Sequence, residues 1–164
     1  MGFASMTKME MNDVLSQAST AELLRRWSAI MDELRERGVI RSSNNPVADY
    51  AEQLVADSLG LILAGNSKSG HDAEGPDGVR YQIKARRLVS PKTSRQLSAL
   101  RNLNGDPFDW LIVVLLGPSF DVLEMWQLPI DLVRDHATYR SHVNVHILHA
   151  RGAVLADDRA IRLV

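Results

Sequence analysis

The chain has 164 residues, 19 Lys and Arg against 20 Asp and Glu, a formal charge of −1 and no cysteine. Its 45% hydrophobic and 24% charged residues are those of an ordinary globular protein, long enough for one domain that buries roughly two thirds of its unfolded surface. The missing Cys excludes disulfides, thiolate metal sites and a cysteine nucleophile. The near-neutral total gives no hint of a nucleic-acid partner.

Residues 1–15 carry little pattern and are expected to be frayed, leaving a single domain over 16–164. Ser19-Thr-Ala-Glu22 reads as a capping box, and Gly38 as a helix stop. Between them Leu23, Leu24, Trp27, Ile30, Met31 and Leu34 recur at helical spacing. After the loop 41–45, Pro46 opens a second helix, with Val47, Tyr50, Ala51, Leu54, Val55 and Leu59 inward and Gly60 ending it.

From Leu61 the pattern changes to short strands. Leu61–Leu63 suits a strand, Asn66–Gly70 a loop, and Gly75-Pro-Asp-Gly78 a turn. Val79–Ala85 alternates with period two, placing Val79, Tyr81, Ile83 and Ala85 on one face and Arg80, Gln82, Lys84 and Arg86 on the other. Leu97, Leu100 and Leu103 suggest a short helix. Trp110–Leu116 is apolar throughout, as in a central strand covered on both faces. Val122–Leu128 predicts a strand, Pro129 to about Tyr139 a helix, Val143–His149 a strand with helix as the alternative, and Ala156–Leu163 a terminal helix. The three tryptophans, Trp27, Trp110 and Trp126, read as core aromatics, each needing an N–H partner. The order predicts an α/β fold: a mixed sheet flanked by helices.

Chemistry concentrates between Asp49 and Arg87. Glu52 lies on a helix, Asp72 on the approach to a hairpin, and Gln82 and Lys84 on one strand face, about 7 Å apart. A strand pairing through the 75–78 turn lets Asp72 meet that pair. Carboxylates beside an amide oxygen are hard ligands of the kind Mg²⁺ takes, and a neighbouring ammonium orients a water and stabilises phosphate charge.

Glu52, Asp72 and Gln82-Ile83-Lys84 resemble the PD-(D/E)xK, or restriction-endonuclease-like, nuclease superfamily. The resemblance implies a three-layer α/β fold and Mg²⁺- or Mn²⁺-dependent cleavage of DNA phosphodiesters. It implies Asp72 as principal metal ligand and Glu52 as second ligand or water-holder. Gln82 would ligate through its amide oxygen, Ile83 through its carbonyl, and Lys84 would position the attacking water. The departures are Gln82 where an acid is usual, and Gly70-His71 rather than Pro before Asp72. From about Leu34 onward the chain also resembles an uncharacterised bacterial domain family of similar length, through Asp106-Pro-Phe-Asp-Trp110 and His142-Val-Asn-Val-His146.

A second signal sits beside the first. Between Gly78 and Gly105 there is no acid, while Arg80, Lys84, Arg86, Arg87, Lys92, Arg95 and Arg101 supply seven positive charges and leave −8 for the rest. Such a patch suits a polyanionic backbone, so Arg80, Arg86, Arg87, Lys92, Arg95 and Arg101 are candidate nucleic-acid contacts. The plainer alternative is a solvated surface whose cations pair with acids elsewhere. His142, His146 and His149 lack the companions of a zinc site and read as structural. The expectation is a metal-dependent nuclease, or a catalytically inactive nucleic-acid-binding or protein-interaction module of the same fold, with homodimerisation an open possibility. The longest apolar run, Trp110–Leu116, is too short to span a membrane, and no apolar leader core precedes the first helix. The expected location is the cytoplasm.

Overall fold

The computed structural model describes residues 7–65 and 70–164, in two compact units, Met1–Ser43 and Asn44–Val164. Residues 66–69 of the expected 66–70 loop, and the first six of the segment expected to fray, lie outside the described residues.

In the first unit, α1 (Lys8–Ser16) forms where little order is expected. The local reason is a capping box: Thr7 Oγ1 accepts from the Glu10 N–H at 3.3 Å, and the Glu10 carboxylate accepts from the Thr7 N–H at 2.7 Å. α2 (Thr20–Glu36) begins on the predicted box, Ser19 with Glu22. Its apolar stripe is correctly placed but largely open: Trp27 is 51% exposed, which corrects its reading as a core aromatic.

The second unit holds the sheet. Its six strands run in the order β1-β2-β3-β4-β5-β8: β1 Ile62–Leu63, β2 Ala73–Glu74, β3 Arg80–Arg87, β4 Trp110–Leu116, β5 Val122–Pro129 and β8 Ile161–Arg162. β3 and β4 are parallel and the other pairs antiparallel, so the sheet is mixed. Leu111 to Leu116 on β4 are wholly buried, as a central strand covered on both faces requires.

Alternation along β4 sorts the core into two layers. Ile112, Val114 and Leu116 join Ile83, Ala73 and Met125 against Ala51 and Val55 of α3 (Val47–Leu59), which ends at Gly60 in the left-handed region, φ 65°. Leu111, Val113 and Leu115 face the opposite layer: Leu97, Leu100, Leu103 and Phe108, with Leu132 and Val133 of α4 (Ile130–His136) and Val154 of α5 (Ala153–Ala156). The result is a three-layer α/β arrangement of helix, sheet, and helices with covering chain.

Three elements differ from expectation. Leu97, Leu100 and Leu103 are all buried, but the chain carrying the first two is extended. Gln96 and Leu100 bridge to His149 and His146, and only Leu103–Gly105 forms a 3-10 turn. A spacing of three suits a helix, but the bridges to His146 and His149 set the backbone around the first two leucines. After α4, Thr138–Arg140 is β6, antiparallel to β7 (Val145–Ile147), so Tyr139 belongs to a hairpin rather than to a helix end. The predicted terminal helix is replaced by α5 and by β8, which takes the free edge of β5 through Trp126↔Arg162 and Gln127↔Ile161.

Candidate functional site

The pairing of β2 with β3 aligns Ala73 with Tyr81 and Glu74 with Arg80. The same register puts Asp72 opposite Gln82. The hairpin is closed by the predicted turn, with the Gly78 N–H donating to the Gly75 carbonyl at 3.0 Å. Because β2 is only two residues long, the Ile83 N–H on that edge has no strand carbonyl to meet. The Asp72 carboxylate takes its place: Oδ2 accepts from the Ile83 N–H at 2.7 Å and also from Gln82 Nε2. The Asp72 N–H donates to the Tyr81 carbonyl at 2.8 Å, which holds the acid in line with the ladder. Just before it, His71 Nε2 lies 2.7 Å from Glu74 Oε1.

Asp72, Gln82 and Ile83 are therefore one hydrogen-bonded cluster, and strand alternation sets Lys84 on the Gln82 face, roughly 7 Å further along. Glu52 is placed differently. Its helix packs on the Ile83 face, through Ala51 and Val55, while Gln82 and Lys84 pair across to Leu111 and Val113 on the other. The expected constellation is gathered as three neighbours and a row-mate, with Glu52 on the layer across the sheet.

Among the described residues, no three of His, Cys, Asp and Glu gather closely enough to hold a metal. The donor set that fits a divalent ion is thinner: the Asp72 carboxylate, the Gln82 amide oxygen and the Ile83 carbonyl, which strand geometry directs to the same side as its N–H. These are hard oxygen donors with one negative charge among them, matching a weakly held Mg²⁺ or Mn²⁺. Gln82 reaches such an ion by turning its amide so that oxygen replaces nitrogen.

The cation segment divides. Arg80 is fastened to Asp109 by Nη2–Oδ1 at 2.9 Å and Nε–Oδ2 at 3.1 Å, and donates from Nη1 to the Asp106 carbonyl at 2.7 Å. This bond holds the Asp109 carboxyl below its ordinary range and raises Arg80. Arg95 bonds Glu124 at 2.7 Å, and Trp126 Nε1 donates to the other Glu124 oxygen at 2.9 Å, supplying the partner its indole needs. Together they lower the Glu124 pKa, Arg95 most. Arg87 donates from Nε to the Pro118 carbonyl at 3.1 Å and stands 4.5 Å over the Phe120 ring. Arg86 Nε donates to the Ser94 carbonyl at 3.1 Å. Lys84, Lys92 and Arg101 enter no ion pair among the described residues. Four of the seven segment cations thus also serve the fold, and two of them, Arg80 and Arg95, pair with acids as the plainer alternative anticipates.

Sequence reasoning missed a groove of about 550 Å³ between the chain after β3 and the β6–β7 hairpin. Arg101 and Asn102 line it, but Tyr139, predicted at a helix end, lines it too. The one available signal was the pair Asn102 and Asn104 beside Arg101.

Compared with known proteins, the chain matches no family model and no curated sequence.

Proposed function

We propose that this protein binds DNA phosphodiesters along the Asp72–Gln82–Lys84 row and hydrolyses them with Mg²⁺ or Mn²⁺. The observation that carries the reading is the in-register carboxylate–amide pair, Asp72 with Gln82, beside a strand carbonyl and a lysine that enters no ion pair among the described residues. When bound, a divalent ion supplies Lewis acidity to a phosphoryl oxygen. Asp72, Gln82 and the Ile83 carbonyl hold it. Lys84 orients the attacking water and offsets charge that develops on the phosphate. Lys92 and Arg101 supply local attraction for the backbone, and the outer nitrogens of Arg86 add to it. Glu52, on α3, is the second ligand or water-holder of this reading.

A second reading keeps DNA binding without hydrolysis. It is favoured by Asp72 Oδ2, which already takes two N–H donors, and by Gln82, which adds no charge to a metal site. Cleavage of single-stranded, linear duplex and supercoiled DNA with Mg²⁺ or Mn²⁺ decides between them. Wild type is expected to cut, and Asp72→Ala and Lys84→Ala to lose activity. Equal activity in all three, or none in any with no metal bound, overturns the catalytic reading.

Among the described residues no helix is long and apolar enough to cross a membrane. A cytoplasmic location and a homodimer complete the proposal, the second checked by light scattering on the full chain.

A further inference from the structure

The groove near Arg101 is built by two chain segments locked side by side. Leu100 and His146 exchange backbone bonds, Leu100 N–H to the His146 carbonyl at 2.9 Å and the reverse at 2.8 Å. β6 extends this pairing, with Tyr139 opposite His146. At the two turns beyond, Asn102 and Asn144 adopt left-handed backbone, φ 51° and 50°, which Asn tolerates better than most residues. Both line the groove.

Tyr139 is the centre of the arrangement. Its ring is half exposed, lies 5.0 Å from the His146 ring at a 44° tilt, and is pinned by its hydroxyl, which donates to Asn144 Oδ1 at 3.0 Å. A fixed, half-open aromatic face is a platform for another flat ring. Asn102 and Asn104 add amides, each able to donate and accept, and Arg101 adds a cation with no ion pair among the described residues. A ligand that is flat, carries hydrogen-bonding edges and bears an anion matches all three features. A nucleotide has that chemistry.

The groove is tied to the hairpin that carries the candidate centre by one chain segment. The segment that forms its rim continues through Asp106 and Pro107. Arg80 donates to the Asp106 carbonyl at 2.7 Å, and a Cβ on Gly70, two residues before Asp72, would lie 3.2 Å from Pro107 Cβ. Leu103 and Phe108, on either side of that segment, pack in the layer on the Gln82 and Lys84 face of the sheet. We infer that this groove is a stacking subsite for an unpaired nucleotide of single-stranded DNA, with the base on Tyr139, its edge read by the asparagines and its phosphate held by Arg101. A base inside a duplex is already stacked on both sides, so duplex DNA cannot fill the subsite without extruding one. The inference rests on the reading of the protein as one that binds nucleic acid, but needs no metal and no cleavage.

The test uses a fluorescent oligothymidylate and a duplex of equal length, titrated with the full chain in EDTA. Wild type is expected to prefer the single strand. Tyr139→Ala should weaken single-strand binding roughly tenfold or more, and Tyr139→Phe, which keeps the ring, should stay within about threefold. Arg101→Ala should weaken it and reduce the salt slope by about one. Asp158→Asn, at an exposed acid that lines neither the groove nor the Asp72 row, should leave it within about twofold. No single-strand binding by wild type, or equal binding by wild type and both alanine variants, overturns the subsite. Loss of metal-dependent cleavage in Asp72→Asn alongside an inert Tyr139→Ala would overturn the subsite and leave the nuclease reading standing. Weakened binding in Tyr139→Ala with no cleavage under any metal does the reverse.

Discussion

Arg95 and Lys84 belong to the same acid-free stretch, yet the fold uses them in opposite ways. Arg95 is bonded to a carboxylate only 19% exposed, which also holds the Trp126 indole. Lys84, on the Gln82 face of β3, takes no such partner among the described residues. Where a cation meets a half-buried acid it becomes part of the packing; where the neighbouring strand offers Val113 it makes no ion pair among the described residues. A charge run in a sequence thus overstates a binding surface by however many of its members meet acids in the fold.

The largest effect that separates the two regions is expected in catalysis. Lys84→Ala should reduce DNA cleavage by roughly a hundredfold or more with little change in stability, whereas Arg95→Ala should leave the rate per folded molecule close to wild type. Initial rates normalised to folded protein check both, and an equal loss in the two variants would erase the distinction.

Stability should show the reverse order. Glu124→Ala removes an acceptor from both Arg95 and Trp126 and is expected to cost about 1–3 kcal/mol, against less than about 0.5 kcal/mol for Lys92→Ala on the exposed surface. Urea unfolding followed by far-UV circular dichroism measures the pair.

Acid sensitivity follows from the same carboxylate. The bonds from Arg95 and Trp126 lower its folded pKa below the ordinary 4.5. A depressed folded pKa gives stability that is complete above the unfolded value and lost as pH falls through the folded one. Wild type should therefore lose stability below about pH 4.5, and Glu124→Gln should flatten that part of the curve. An unchanged pH profile in Glu124→Gln would remove the bond from any role in acid unfolding.

The smallest effect concerns the metal. Gln82→Glu adds a charge to the Asp72 cluster and should tighten Mn²⁺ binding by roughly tenfold, read by titration calorimetry. A decrease would show that Gln82 serves Asp72 as a hydrogen-bond donor alone.

Much of the arrangement was legible because its causes are local. The alternation of Val79–Ala85, the Gly75–Gly78 turn and the spacing from Asp72 to Gln82 together specify the hairpin register and the face shared with Lys84. Ser19–Glu22 and Gly60 mark helix ends through bonds made within a few residues. Where periodicity asked only for burial, it did not say against what. α2 and α3 carry equally clear apolar stripes, yet Ala51 and Val55 are wholly buried and Trp27 is half exposed. Leu97 and Leu100 are buried, but their backbone is set by bridges to residues about fifty positions later, so no local pattern could make them extended.

The amino-acid sequence by itself determined the strand faces, the turn and the candidate row Asp72, Gln82 and Lys84, because each depends on neighbours in the chain. Only the tertiary structure decided that Glu52 stands on the opposite layer, that Arg80 and Arg95 are tied to Asp109 and Glu124, and that Tyr139 meets Arg101 and Asn102 in one groove. Those outcomes depend on which distant strands pair, and pairing is settled by burying the apolar faces of β4 on both sides at once.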